Sequence, residues 1–400
     1  MDKGSEMTTA ETGPAEVDVA IVGAGMAGTT MATVLGKAGR KVALIDPHRV
    51  HHDEFRAEKI GADQMQLFGR LDLEETVMRL VTSMTDIHVF RLGQLFAREQ
   101  KWEYTFSYGA LINGLRDALP PQVPLTVGKV ADVSTGPDLQ RLVLTDGTVI
   151  TARLLVVATG YSEAVRRAIG VERVELSKAH SLSIGFDLAV PPRDFAYPAV
   201  TCYGKRAADR VAYLTVFPLG NKMRANMFVY RTVAEQWTRD FRENPQKMLC
   251  ELMPEISAQC GNFELAGPVE VRQVNLATTQ GHRRPGVVFV GDAFWTTCPT
   301  PGVGIGRVMI DVEQLCSVHI PRWLETPGMS ADKICAFYDD PVKVTSDEAG
   351  MRVSIYAKQI TTETGLEWRM RRLRNNTARR LMIIARRMKD FGQRRTPRMA

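Results

Sequence analysis

Between Val17 and Asp46 the chain reads VDVAIVGAGMAGTTMATVLGKAGRKVALID, and this stretch limits the fold more than any other. Apart from Asp18, residues 17–22 are apolar and predict a short buried strand. Gly23, Gly25 and Gly28 then stand at GxGxxG spacing, small residues from Thr29 to Ala38 predict a helix, and Arg40 to Ile45 predicts a second strand ending in Asp46. In a dinucleotide-binding unit each glycine has a separate task. Gly23 permits the tight turn, Gly25 lets a pyrophosphate approach the backbone, and Gly28 lets the helix lie against the strand. An acid 23 positions beyond Gly23 falls where a carboxylate would meet a ribose hydroxyl. A lone GxGxxG is weak, whereas strand, motif, helix, strand and acid within ~30 residues form a specific signal.

A second glycine-rich stretch lies far along the chain. Residues 286–311 read GVVFVGDAFWTTCPTPGVGIGRVMID. The apolar run Val287 to Val290 ends at Gly291-Asp292, a Pro/Gly/Thr loop follows, and Val308, Val312 and Leu315 repeat at helical spacing after Gly302-Val303-Gly304. An acid at a strand end can accept from a ligand hydroxyl, and the free amides at a helix start can face an anion.

The 400 residues are 44% apolar and 24% charged, as expected of a globular chain able to bury a core without disulfides or structural metal. The six cysteines contain no CxxC pair, so they read as reduced thiols in a cytoplasmic protein. His48, His51 and His52 lack partners at ligand spacing and read as surface residues, so no metal site is expected. Residues 1–16 have no apolar h-region and read as a disordered tail, and no run of 18 apolar residues predicts a spanning helix. The net charge of +6 is uneven. Residues 351–400 hold 14 Lys/Arg against three acids, a net +11, which leaves −5 for the first 350. The basic character therefore concerns the partner of the tail.

Between these landmarks, LTVGKVADVS, RLVLTDGTVI and ARLLVVATG predict three strands. From His180 to Arg284 the alternating runs SLSIGFDLAV, RVAYLTVFPLG and MRANMFVYR predict an antiparallel sheet, interrupted by one helix over Val233–Ile256. A cation such as Arg56, placed soon after a dinucleotide strand, can neutralise a pyrophosphate, although a solvated arginine is the plainer reading of that residue alone.

Three segments in order, GAGMAG at 23–28 with Asp46, ATGYSEAVRR at 158–167, and GDAFWTTCPTPGVGIG at 291–306, resemble the fingerprints of single-component FAD-dependent aromatic hydroxylases of the p-hydroxybenzoate hydroxylase type. The resemblance spans residues 17 to about 320. It implies an α/β protein with a Rossmann-like FAD-binding domain at 17–175 and 285–325, an inserted, mostly antiparallel β-sheet substrate domain at 176–284, and a basic helical region at 326–400. It also implies that Gly23, Gly25, Met26, Ala27 and Gly28 wrap the FAD pyrophosphate, Asp46 binds the ribose, Val130 sits by the adenine, and Arg56 faces the phosphates. Gly291 and Asp292 would hold the ribityl side, and the amides of Gly302, Val303, Gly304, Ile305 and Gly306 would face the flavin N1/C2=O edge, where a reduced flavin carries negative charge. The implied reaction passes one oxygen atom from O2, through a flavin C4a-hydroperoxide, to an aromatic or polyketide-like small molecule. No catalytic triad is then needed. Trp295, Cys298 and Pro299 are the candidate pocket residues. Cys298 reads as a small buried residue in preference to a reactive or flavin-linked thiol.

The chain departs from the family pattern at Thr159-Gly160, where relatives have Asp-Gly, at Trp295, where many have His, and at Tyr108, where many have Arg. These departures leave open whether NADPH or NADH reduces the flavin directly or through a separate flavin reductase. Flavin-dependent halogenases and geranylgeranyl reductases share the cofactor architecture and remain alternatives. The sequence lacks WxWxIP, and Lys59 is only a loose match to a halogenase lysine. Residues 366–399 predict a basic amphipathic helix carrying Leu366, Met370, Leu373, Leu381, Ile384 and Met388. Three readings of it compete: packing on the acidic body, peripheral contact with anionic lipid, and an oligomer contact. Nucleic acid is not an expected partner, and a non-catalytic flavoprotein that binds a partner through this tail is the reading from another class.

Overall fold

In the computed structural model, residues 15–260 and 264–395 are described. The strand Ala15–Val22 lies at the centre of a seven-stranded sheet, parallel to Val42–Asp46 on one side and to Val149–Val157 on the other. Val19, Ala20 and Ile21 are fully buried, because a parallel strand covered on both faces has no wet side and needs no alternation. Up to residue 14 the expected tail lies outside the described residues, but Ala15 and Glu16 already pair with Ile150 and Thr151. The first helix is Met26–Lys37, three residues earlier than expected, and so includes the last half of the glycine motif.

LTVGKVADVS is two strands. Gly128 and Lys129 break it, so that Leu125–Val127 pairs with Val42–Asp46 and Val130–Ser134 with Gln140–Leu144. The end of RLVLTDGTVI and all of LLVV form one strand, Val149–Val157, entered through a turn at Gly147 with φ +88°. The chain returns to this sheet at Val287–Phe289, in parallel register with Leu155, Val156 and Val157. That pairing places Asp292 beside the N-terminal glycine loop despite their separation in sequence.

A second sheet has eight strands, all neighbours antiparallel except the pair Val200–Tyr203 with Thr82–Arg91. Its membership differs from the linear partition expected at 17–175 and 176–284. Lys59–Gly61, Thr82–Arg91 and Gln94–Thr105 form one end of it, and Glu172–Leu188 enters it before residue 176. Hydrogen-bond pairing, not sequence position, decides this, and early segments complete the sheet edge.

The single helix expected over 233–256 is three short helices, Gln236–Glu243, Pro245–Leu252 and Pro254–Cys260. Each break falls before a proline. Asn244 (φ −133°, ψ 56°) and Met253 (φ −137°, ψ 65°) leave the α region because the following proline ring crowds that conformation. The helices cover one face of the second sheet, where Met223, Ala225, Met227 and Val229 of strand Lys222–Val229 are buried with Phe241, Leu249 and Ile256.

Beyond the glycine-rich loop come helices Gly304–Glu313, Ala331–Tyr338, Pro341–Thr362 and Leu366–Arg395. Pro341–Thr362 packs on Gly304–Glu313, where a Cβ on Gly350 would stand 2.7 Å from Arg307 Cδ. The last helix touches Pro341–Thr362 and strand Gln94–Thr105, but Leu366, Met370, Leu373, Leu381 and Ile384 are exposed. Among the described residues no helix is long and apolar enough to cross a membrane.

Candidate functional site

The two glycine stretches meet at the C-terminal ends of the parallel strands. Gly23 turns with φ +103°, and a Cβ on Gly28 would lie 1.8 Å from Gly23 O, so Gly28 is required by packing. A Cβ on Gly25 would meet nothing within 4 Å, which leaves the backbone open to a ligand at the start of the helix. Met26 and Ala27 continue this turn and are buried. Asp46 accepts from Ala24 N at 2.8 Å and His48 N at 3.0 Å, while Arg116 Nη2 stands 3.3 Å from its Oδ2. Gly128 N donates to Asp46 O at 2.9 Å, which brings the Val130 segment to the same strand end.

At the other end Arg56 reaches across the chain to Asp292, 3.2 Å between Nη2 and Oδ2, with its guanidinium over Tyr108 (5.3 Å) and Tyr161 (5.7 Å). Burial alone would lower the Arg56 pKa, but Tyr108, Asp292 and Glu54 outweigh it and the net shift is upward. Burial raises the pKa of both tyrosines. Gly291 (φ +55°) donates its N–H to Asp311 Oδ2 at 3.0 Å. Asp311 in turn accepts from the fully buried Lys343 at 2.7 Å, and Lys343 also meets Asp347 at 3.1 Å. Gly302 (φ +72°) is tied to the helix Ala62–Arg70 by Gln64 Nε2, which donates to its carbonyl at 2.8 Å. Val303 to Gly306 then form the first turn of helix Gly304–Glu313, whose amides have no partner within the helix.

A cavity of 210 Å³ separates this loop from the second sheet. One wall carries Met26, Arg56, Asp292, Pro299, Gly302, Gly304 and Ile305. The other carries Ser183, Tyr213, Thr215, Phe217, Asn226 and Phe228, with Glu58 beside them. Pro299 was expected here, and it lines the cavity together with Thr297. Trp295 and Cys298 do not. The segment 294–300 is irregular: Phe294 lies in a turn with φ −92° and ψ −58°, Trp295 bridges to Thr278, and the chain bends again at Pro299, so no simple alternation orders its side chains. Cys298 is fully buried, with Sγ 3.4 Å from Ser181 Oγ and 3.3 Å from Thr300 Oγ1. Trp295 lies under the Arg307 guanidinium at 5.9 Å.

Comparison with known proteins bears on the family and the fold. The protein-family model described as FAD binding domain matches residues 16–318. The chain belongs to the FAD binding domain family. A curated relative, 2-heptyl-3-hydroxy-4(1H)-quinolone synthase of Pseudomonas aeruginosa (strain UCBPP-PA14), is 28% identical over 217 residues, 51% of this chain and 52% of that protein. The chain thus spans about half the length of the curated relatives it matches. Among solved structures, p-nitrophenol 4-monooxygenase PnpA from Pseudomonas putida DLL-E4 superposes with TM-score 0.72 at 17% identity, covering 96% of this chain and 100% of that one. P. aeruginosa PqsL, solved in complex with 2-aminobenzoylacetate, gives 0.66 at 17% identity over 86% of this chain and 97% of that one. At these identities the structures speak to the fold.

As a member of the FAD binding domain family, the chain has backbone suited to the group. Gly25 leaves the open cradle that a pyrophosphate needs, and two carboxylates, Asp46 and Asp292, stand at the two ends. Several residues of the site were not found by sequence reasoning. Arg116 donates to Ala24 O at 2.8 Å and to His48 O at 2.8 Å, bracing the glycine loop. Arg173 donates to Gly160 O at 3.0 Å and Asp292 O at 3.2 Å, and the fully buried Arg166 donates to Ala293 O at 2.9 Å. Their signal was available only as arginines within apolar segments, since no local spacing points from Arg116 to Ala24. Asn226 was also missed, because strand alternation identifies two faces without saying which one meets the cleft, and Glu58 lies in a loop, where no periodicity reports a direction.

Proposed function

We propose that this protein is an FAD-dependent monooxygenase that inserts one oxygen atom from O2 into an aromatic or quinolone-like small molecule, with NADPH or NADH as the source of electrons. The observation that carries this reading is the position of an aromatic-lined cavity directly across from the Gly302–Ile305 helix start and Asp292. Bound FAD would supply the redox and oxygen chemistry. The chain's own residues would do the rest. Gly23, Gly25, Met26, Ala27 and Gly28 would carry the pyrophosphate on backbone amides, Asp46 the ribose, and Gly291-Asp292 the ribityl hydroxyls. Val130 would flank the adenine. The amides of Gly302, Val303, Gly304, Ile305 and Gly306 would favour the anionic reduced flavin. Phe217, Phe228, Tyr213 and Pro299 would hold a planar substrate and keep water out.

Incubation of the FAD-loaded protein with NAD(P)H, substrate and ¹⁸O2 tests the reading. Product carrying one ¹⁸O is expected, and reduced flavin that never labels an organic product would overturn it. If NAD(P)H alone reduces the flavin slowly but an added flavin reductase restores turnover, the Thr159-Gly160 departure has removed direct reduction. Halogenation has less support: the Lys59 Nζ is held 2.6 Å from Glu103 Oε2. A product that requires halide would favour it.

The exposed apolar residues of helix Leu366–Arg395, set among arginines, support peripheral contact with an anionic bilayer as the route to a hydrophobic substrate. Co-sedimentation with phosphatidylserine vesicles at low salt is the expected result, and its absence would remove this part of the proposal.

A further inference from the structure

The last helix, Leu366–Arg395, presents a charged face to the protein. A surface helix ordinarily buries an apolar stripe and shows its charges to water. Here Leu366, Met370, Leu373, Leu381 and Ile384 are exposed, whereas Arg372, Asn375, Asn376 and Arg379, which follow one another at helical spacing, are half-buried. These four residues line a cavity of 280 Å³ between the helix and the second sheet. Arg91, Lys205 and Arg206 line it from the other side, and among the described residues no carboxylate does.

The protein neutralises Arg206, which pairs with Asp209 at 3.0 and 2.8 Å. The neighbouring arginines are held by uncharged groups. Arg372 donates to the carbonyls of Ile360 at 3.2 Å and Glu363 at 2.5 Å, Arg379 donates to Asn376 Oδ1 at 3.2 Å, and Arg91 lies over the Tyr203 ring at 3.4 Å. Burial lowers the Arg91 pKa and the like charge of Arg379 adds to it, against the pull of Tyr203 and Glu99. Arginines gathered around a cavity at a cost to one another suit an oxyanion, because each guanidinium offers paired N–H groups that match a carboxylate or a phosphate.

A groove of 1310 Å³ lies between this basin and the cleft. It shares Tyr203, Tyr213 and Thr300 with the basin, and Lys59, Tyr213, Thr215 and Gly302 with the cleft. Its own cations are taken: Lys59 stands 2.6 Å from Glu103, Lys101 3.0 Å from Glu99 and 3.1 Å from Glu103, and Arg307 3.0 Å from Asp347. Trp102, Val342 and Val353 give the groove exposed apolar surface. An anionic group therefore gains little along the groove and meets arginines without acidic partners at its end.

We infer that the basin formed by Arg91, Arg372 and Arg379 is an oxyanion site, which takes the carboxylate or phosphate at the far end of an elongated substrate whose ring lies in the cleft and whose neutral body lies along the groove. The occupant of the cleft rests on the monooxygenase reading, whereas the anion site is a property of binding.

The test is calorimetric titration of the FAD-loaded protein, at fixed ionic strength, with ω-(4-hydroxyphenyl)alkanoates of increasing chain length, the matching primary amides and the matching ω-phosphate esters. From one chain length onward an anionic member is expected to bind roughly tenfold more tightly than its amide, and the tighter of the carboxylate and phosphate series names the group. Arg379→Gln should cut that ratio severalfold, and Arg91→Gln combined with Arg379→Gln should bring it to within about twofold at unchanged FAD content. Arg380, an exposed neighbour outside the basin, is the control, and Arg380→Gln should leave the ratio as it is. The inference is overturned if no chain length in either series favours the anion, or if the preference survives the double substitution. It is also overturned if Arg380→Gln lowers the ratio as much as Arg379→Gln, which would assign it to the diffuse charge of the tail. Dependence of the shortest acid on Arg379 as strong as that of the longer ones would place the anion in the cleft and overturn it too. ¹⁸O incorporation is scored separately, so the monooxygenase reading can fail while the anion preference stands.

Discussion

The two walls of the cleft are built on different principles. The wall that carries the glycine motifs works mainly through backbone: a turn at Gly23, an open approach at Gly25, a tight contact at Gly28, and a helix start after Gly302. Its parts come from two short runs of neighbouring residues. The facing wall works through side chains, Ser183, Thr215, Phe217, Asn226 and Phe228, collected from three strands, with Glu58 added from an early loop. Backbone recognition serves a ligand whose phosphates are the same in every relative. Side-chain recognition can be changed one residue at a time, so it is suited to whatever differs between substrates.

If this contrast holds, the first wall fails when a single Cβ is added. Gly28→Val places side-chain atoms where a Cβ would already be 1.8 Å from Gly23 O, and no FAD should remain in the purified protein. A yellow, stoichiometric Gly28→Val protein would break the comparison outright.

Lys343 is where the first wall depends on a remote side chain. It neutralises Asp311, which holds Gly291 N, and Asp347, which pairs with Arg307. Lys343→Met leaves those carboxylates short of charge in a dry site, and the loss should be about 3–5 kcal/mol by denaturant unfolding. A loss under about 1 kcal/mol would show that the loop stands without its brace.

The next effect concerns pH. His180, on strand Glu172–Leu188, has a pKa lowered to about 4, by burial first and then by Lys358 on the helix Pro341–Thr362. The unfolded state then binds the extra proton between roughly pH 6.5 and 4, so stability falls as pH drops through that window, by on the order of 3 kcal/mol. His180→Gln should flatten this part of the stability–pH curve, and an unchanged slope would assign it elsewhere.

Asp292→Ala removes a carboxylate at the cofactor end and should weaken FAD binding roughly tenfold to a hundredfold, giving colourless protein on purification. Full FAD retention would sink the assignment of Asp292. The smallest change is expected on the second wall. Thr215→Val should leave FAD content intact and stability within about 1 kcal/mol while altering substrate affinity. If it expelled FAD, the walls would not be separable.

The first wall was legible in the sequence because its parts are contiguous. GAGMAG with Asp46 and GDAFWTTCPTPGVGIG each encode a strand, a turn and a helix start in one stretch, where backbone geometry is set by local residue type. The run MRANMFVYR did show a strand. Its alternation could not say that Met223, Ala225 and Met227 would face helices 236–260 and Asn226 the cleft, since either face is amphipathic enough to serve. The breaks before Pro245 and Pro254 are local signals, because each proline ring crowds the α conformation of the residue ahead of it.

The sequence alone therefore determined the dinucleotide half, its parallel strands and its two glycine loops, because short-range sterics dictate those shapes. Tertiary structure decided the rest. Pairing of Thr82–Arg91 with Val200–Tyr203 drew an early segment into the second sheet, and pairing of Val287–Phe289 with Leu155–Val157 brought Asp292 to Arg56. Only then did Glu58 and Arg224, 166 positions apart, come within hydrogen-bonding reach, and no local rule of chain geometry reports a contact across that distance.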